Sequence, residues 1–142
     1  MGGGAFYGCS SLPVENNIRY ADTYLVGVVD ASLDVYTIKP GTKWIGFLAF
    51  KDCESLQTIT IPEGVKSIGV GAFDGCSSLQ SINIPEGVEL IDMGAFHGCS
   101  SLQFVDMPNS VKELGEQAFF GCTSLDSIHL SIEIREIRDN TF

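Results

Sequence analysis

Apolar residues recur along this chain on a beat of 23 positions, and the residues between the beats are mostly polar. Ala-Phe pairs stand at Ala49-Phe50, Ala72-Phe73, Ala95-Phe96 and Ala118-Phe119, and Thr141-Phe142 falls on the next beat. The same step relates Cys53, Cys76, Cys99 and Cys122, then Leu56, Leu79, Leu102 and Leu125, then Ile59, Ile82, Val105 and Ile128. A fixed period of this size means stacked units, none of which can bury its apolar side without a neighbour. The unit is too short for a four-stranded propeller blade and suits one coil of a solenoid.

The spacing inside a unit locates its bends. Leu79, Ile82 and Ile84 tighten to alternation and end at Pro85-Glu86-Gly87, which predicts a short strand and a turn. Val88 and Ile91 predict a second short extended piece. Ala95-Phe96, Cys99 and Leu102 follow at steps of three to four, which predicts one helical or 3₁₀ turn, kept short by Gly94 and Gly98. The expected fold class is an α/β-type repeat solenoid of short parallel strands and short helical or 3₁₀ turns, with regular repeats over residues 36–137.

The first third breaks the beat. Gly4-Ala5-Phe6 to Leu12 matches Gly71 to Leu79, which marks a partial repeat over residues 3–12, yet Phe6 lies two residues short of a double period before Phe50. The irregular coil is therefore expected over residues 13–38. It reads as an inserted β-hairpin, with Tyr24 to Val29 as one strand, Asp30 to Asp34 as the turn and Val35 to Ile38 as the return. Residues 137–142 begin a truncated repeat. The expectation is one domain over residues 1–142, a fragment of a longer protein, with uncapped ends that associate end to end or fray.

The unit Ala-Phe-x-x-Cys-x-Ser-Leu-x-x-Ile-x-Ile-Pro-x-x-Val-x-x-Ile, complete at Ala72 to Ile91, resembles the BspA-like or Treponema-type leucine-rich repeat. The segment Tyr20 to Val26 is similar to an insertion in bacterial members. Lys39 and Ser131 stand where the family has proline, and Thr42 where it has valine. The resemblance implies a right-handed leucine-rich-repeat coil in a bacterial cell-surface or secreted protein. It further implies a role in adhesion or in binding a host extracellular protein, and carries over no catalytic residue.

Composition narrows the partners. The 142 residues are 44% hydrophobic and 18% charged, with a formal net charge of -10. That is enough chain for a real core and the wrong sign for a phosphate-binding surface. The eight basic residues run from Arg19 to Arg138 without forming a patch, so nucleic acid is not an expected partner. The longest uncharged apolar stretch, Tyr24 to Val29, is far below the roughly 20 residues of a bilayer span. Met1-Gly2-Gly3-Gly4 has neither the charge nor the apolar run of a secretory signal. No cofactor is implied.

If successive coils lie about 4.8 Å apart, residues one period apart become neighbours in ladders. The cysteine ladder has three readings: buried thiols acting as small apolar groups, disulfides between coils with poor Cβ geometry, or a metal site, for which a straight line of sulfurs converges badly. Asp74 and His97, and likewise Asp106 and His129, become side-by-side pairs. With Ser81 and Ser127 near by, such a pair is half of a hydrolytic triad, but ion-pair ladders explain it without a nucleophile turn or oxyanion pocket. Lys43, Lys66, Glu89, Lys112 and Arg135 form a solvated stripe in which Glu89 separates like charges.

The sharpest binding candidate is the outward strand face, where Thr58, Ser81, Phe104 and Ser127 form one ladder and Thr60, Asn83, Asp106 and His129 the next. Phe104 is the anomaly there, an aromatic anchor amid small polar groups. Phe120, whose ladder mates Tyr7, Lys51, Asp74 and His97 are mostly polar, suggests a second association surface. The favoured function is a non-catalytic protein-binding or adhesion module. A structural spacer is the alternative, and a hydrolase built on an Asp-His pair a more distant one.

Overall fold

The computed structural model describes residues 8–142, so the Gly4-Ala5-Phe6 part of the first repeat lies outside the described residues. Each coil contributes one strand to each of two sheets. The five-stranded sheet takes β4 (Val35–Thr37), β6 (Thr58–Thr60), β8 (Ser81–Asn83), β10 (Phe104–Asp106) and β12 (Ser127–His129), all parallel. The second sheet takes β5 (Trp44–Ile45), β7 (Ser67–Ile68), β9 (Leu90–Ile91) and β11 (Glu113–Leu114), also parallel. It is extended at one edge by β1 (Val14–Glu15), β2 (Ile18–Ala21) and β3 (Tyr24–Val28) to seven strands. Side chains of the two sheets and of the turn segments meet in one core.

The ladders form as the spacing requires. Phe50, Phe73, Phe96 and Phe119 stack with ring centroids 5.0 to 5.2 Å apart and planes within 7° of parallel. At the near end Tyr36 meets Phe50 edge to face at 5.4 Å, and its hydroxyl donates to the Asp30 carbonyl. Two substituted positions have local reasons. The Lys39 N–H donates to the Tyr20 hydroxyl at 3.0 Å, which a proline could not do, and the buried Thr42 donates its hydroxyl to the Lys39 carbonyl at 2.8 Å.

The expected helical or 3₁₀ turn is absent from the described residues, and the backbone shows why. The N–H groups of Ala72, Asp74 and Cys76 bond three residues back, to Gly69, Gly71 and Phe73. Those of Gly71, Phe73 and Gly75 instead donate sideways to Met93, Ala95 and His97 of the next coil, at 2.8 to 2.9 Å. A helix needs consecutive N–H groups to bond backward. Half of them here stitch the coils together.

The hairpin is also corrected. Tyr24 to Val28 is a strand, but its antiparallel partner is β2, before it, with β1 beyond. The turns are Asn16-Asn17, both with positive φ as in a type I′ turn, and the link from Ala21 to Tyr24, where Asp22 has φ 57°. Val35 to Thr37 belongs to the other sheet, pairing with β6. The Val28 N–H donates to the Ala49 carbonyl as the Phe50 N–H does to Ala72, so Val28 takes the place of a phenylalanine in the shortened first coil.

Candidate binding face

The pleat of the five-stranded sheet sends alternate residues inward and outward, and the middle residue of each triplet, Tyr36, Ile59, Ile82, Val105 or Ile128, packs on the core. The outer residues all reach solvent. Phe104 lies directly between Ser81 and Ser127, and Asp106 between Asn83 and His129. Thr60 faces Asn83, and Thr58 occupies the first row one coil earlier. All eight residues expected on this face are therefore on it. Phe104 is 48% exposed, the largest apolar group on this sheet's outer rows.

Beside it, His129 Nδ1 lies 3.1 Å from Asp106 Oδ1. A shallow cavity of about 390 Å³ runs along the sheet margin past Asn83, Asp106 and His129 to Glu63, Glu86 and Asn109. Hydrogen-bonding groups thus border one aromatic ring, an arrangement suited to holding a protein surface.

The second Asp-His pair belongs to a longer ladder. Lys51 Nζ lies 2.7 Å from Asp74 Oδ2, His97 Nδ1 lies 2.9 Å from Asp74 Oδ1, and the His97 ring stacks on Phe120 at 5.6 Å. Phe120 keeps 44% of its surface exposed but has this intramolecular platform. Burial alone would raise the Asp74 carboxyl, but hydrogen bonds from Lys51 and His97 and their charges outweigh it and hold the group below its ordinary value. The Asp74 hydrogen bond likewise raises Lys51. Because the Asp74 carboxyl is lowered in the folded protein, its stabilising effect is complete above the unfolded value and fades as pH falls through the folded one. Asp74→Asn is therefore expected to lower the urea midpoint at about pH 6, by a gap that narrows as pH falls below the ordinary aspartate range. A gap that stays constant as pH falls would refute this.

Both histidines are thus held by aspartates, and among the described residues neither Ser81 nor Ser127 hydrogen-bonds to a histidine. On the lysine stripe, Lys112 Nζ bonds Glu89 Oε2 at 3.0 Å, and the Lys112 hydrogen bond lowers the Glu89 carboxyl. The cysteines are free thiols. Cys76, Cys99 and Cys122 each donate to the phenylalanine carbonyl of the preceding coil, at 3.1 to 3.2 Å. Burial pushes Cys53 up to about 11 and Cys76 higher still, so neither presents a thiolate near neutrality.

Sequence reading missed one concavity, on the outer face of the seven-stranded sheet. Tyr24, Trp44, Ser67 and Leu90 lie opposite one another across β3, β5, β7 and β9, and with Phe47, Gly69 and Asp92 they line about 320 Å³. The step from Trp44 to Ser67 to Leu90 is the regular one. Tyr24 joins them only because the first coil is short.

Residues 30–142 match the BspA type leucine rich repeat region in six copies. No curated protein sequence matches the chain. Among solved structures it is similar to a leucine rich cell surface protein of Faecalibacterium prausnitzii, with 26% identity and a TM-score of 0.66 over 92% of this chain and 41% of that one. A T. pallidum leucine rich repeat protein aligns at 27% identity and TM-score 0.65, over 84% of this chain and 72% of that one. The pneumococcal vaccine antigen PcpA shares the fold, at 24% identity and TM-score 0.69 over 84% of this chain and 32% of that one. The chain thus spans less than half of the first and last of these proteins. Six matched copies, coils in register from β4 to β12 and an unbroken phenylalanine stack agree, and the chain belongs to the BspA-type leucine-rich-repeat family.

Proposed function

We propose that this chain is a non-catalytic protein-binding module of a bacterial surface protein, which presents the outer face of its five-stranded sheet to a host extracellular protein. The observation that carries this reading is Phe104, nearly half exposed between Ser81 and Ser127 in a row of small polar side chains, with the Asp106–His129 pair beside it. Aromatic anchors ringed by polar groups are the usual source of binding energy in protein interfaces. The cell-surface setting is supported by the Faecalibacterium protein, whose solved chain is described as a cell surface protein. Among the described residues no helix is long and apolar enough to cross a membrane.

The test is simultaneous replacement of Phe104, Asp106 and His129 by alanine. All three point outward, so the thermal midpoint should move little, within the small range usual for surface substitutions. Binding to host cells or to an array of host extracellular proteins should fall at least about tenfold, since one truncated anchor alone is worth 2 kcal/mol or more. Unchanged binding would remove the strand face from consideration. If the unaltered protein binds none of these targets, the reading fails in favour of a spacer.

A further inference from the structure

The groove on the seven-stranded sheet differs in kind from the strand face. Trp44, Phe47 and Tyr24 contribute three aromatic rings to its lining, and Asp92 its one charged group. The backbone makes room for them. A Cβ on Gly46 would lie 2.6 Å from the Tyr24 ring, so that ring rests against bare backbone, and Gly69 continues the glycine row beside it.

Asp92 Oδ1 accepts the Met93 N–H at 2.7 Å, and among the described residues the carboxylate makes no ion pair. The lysines next to the groove wall turn elsewhere. Lys43 Nζ sits 3.0 Å from where a Cβ of Gly64 would be, and Lys66 Nζ 3.6 Å from that of Gly87, both against turns of the next coil. Beyond the groove an adjoining depression shares Leu90 and Asp92 with it and is also lined by Lys112, Arg135 and Arg138, with Glu113 and Glu136 beside them.

We propose that this groove receives a lysine or arginine side chain from a partner protein. Aromatic faces attract a cation through their quadrupole, most strongly for tryptophan, and a carboxylate at the far end of the same groove supplies a charge-assisted hydrogen bond. A neutral apolar occupant would use the rings but bring no donor to the second Asp92 oxygen, since Oδ1 already takes the Met93 N–H. The net charge of -10 steers a basic segment towards the surface. The inference is independent of the strand-face reading, because the two faces belong to different sheets.

Trp44 is the single tryptophan, so its fluorescence reports on the groove directly. The probes are the tripeptides acetyl-Gly-Arg-Gly-amide and acetyl-Gly-Lys-Gly-amide, with acetyl-Gly-Gln-Gly-amide and glucose as neutral controls, at low ionic strength and up to tens of millimolar. Saturable emission changes are expected with the two cationic peptides and not with the controls. Asp92→Asn, which keeps the shape of the side chain, should weaken the cationic response about tenfold, the worth of one charge-assisted contact. Isothermal titration calorimetry on the same samples reads binding that leaves the tryptophan unchanged. No saturable signal by either method, an equal response to the glutamine peptide or to glucose, or full response in a folded Asp92→Asn variant would each overturn the proposal.

Discussion

Phe96→Ala is expected to cost about 3 to 5 kcal/mol of folding stability, the range for removing a fully buried aromatic side chain from a core that cannot collapse onto the gap. Phe96 has no exposed surface and is sandwiched between Phe73 and Phe119, each 5.2 Å away by ring centroid. The gap cannot close easily, since the flanking coils are held at strand spacing by the backbone bonds from Phe73 to Ala95 and from Phe96 to Ala118. Urea denaturation followed by circular dichroism measures the loss. Phe142→Ala provides the comparison, because Phe142 stacks on one side only, at 6.0 Å, and is half exposed. Its loss should be well under half as large. Equal losses at the two positions would mean that the stack does not act as a continuous core.

That ladder was legible because a parallel solenoid turns sequence separation into spatial adjacency, so that one number predicts the contacts of Phe, Leu, Ile and Cys together. The same logic places Asp74 beside His97 and Asp106 beside His129, each pair being one period apart. Alternation within Phe104-Val105-Asp106 told which residues face out, and hence that Phe104 is exposed. The helical turn was misread for a physical reason. Apolar residues at steps of three and four satisfy either a helix or a chain of separate turns, and only the destination of each N–H distinguishes them.

The hairpin was misplaced because the apolar run from Tyr24 to Val29 names a strand but not its partner. Asn16-Asn17 carried a type I′ signal that pointed backward to β1 and β2. The aromatic groove escaped notice because Tyr24 meets Trp44 across a coil shorter than the rest, so no shared beat connects them.

Gly87→Val is expected to cost about 2 to 3 kcal/mol, for forcing a β-branched residue into a sparsely allowed backbone region. Gly87 has φ 97° at the third position of the Pro85–Val88 turn, where a type II turn needs a positive angle, and Gly41 and Gly64 hold φ 87° and 92° at the matching places. The Gly87 N–H also donates to the Ser110 hydroxyl of the next coil at 3.0 Å, so a turn that shifts to relieve strain breaks a contact between coils. Ser110 itself occupies the equivalent place in the Pro108–Val111 turn and is not among the positive-φ residues, while the Val111 N–H still reaches the Pro108 carbonyl at 3.1 Å. The fold therefore accommodates two versions of this turn. Gly87→Ser can adopt the second and is expected to cost less than Gly87→Val, with the difference read from paired thermal melts. If the two variants melt together, backbone angle is not what selects glycine at this turn, and the bond to Ser110 alone must account for the loss.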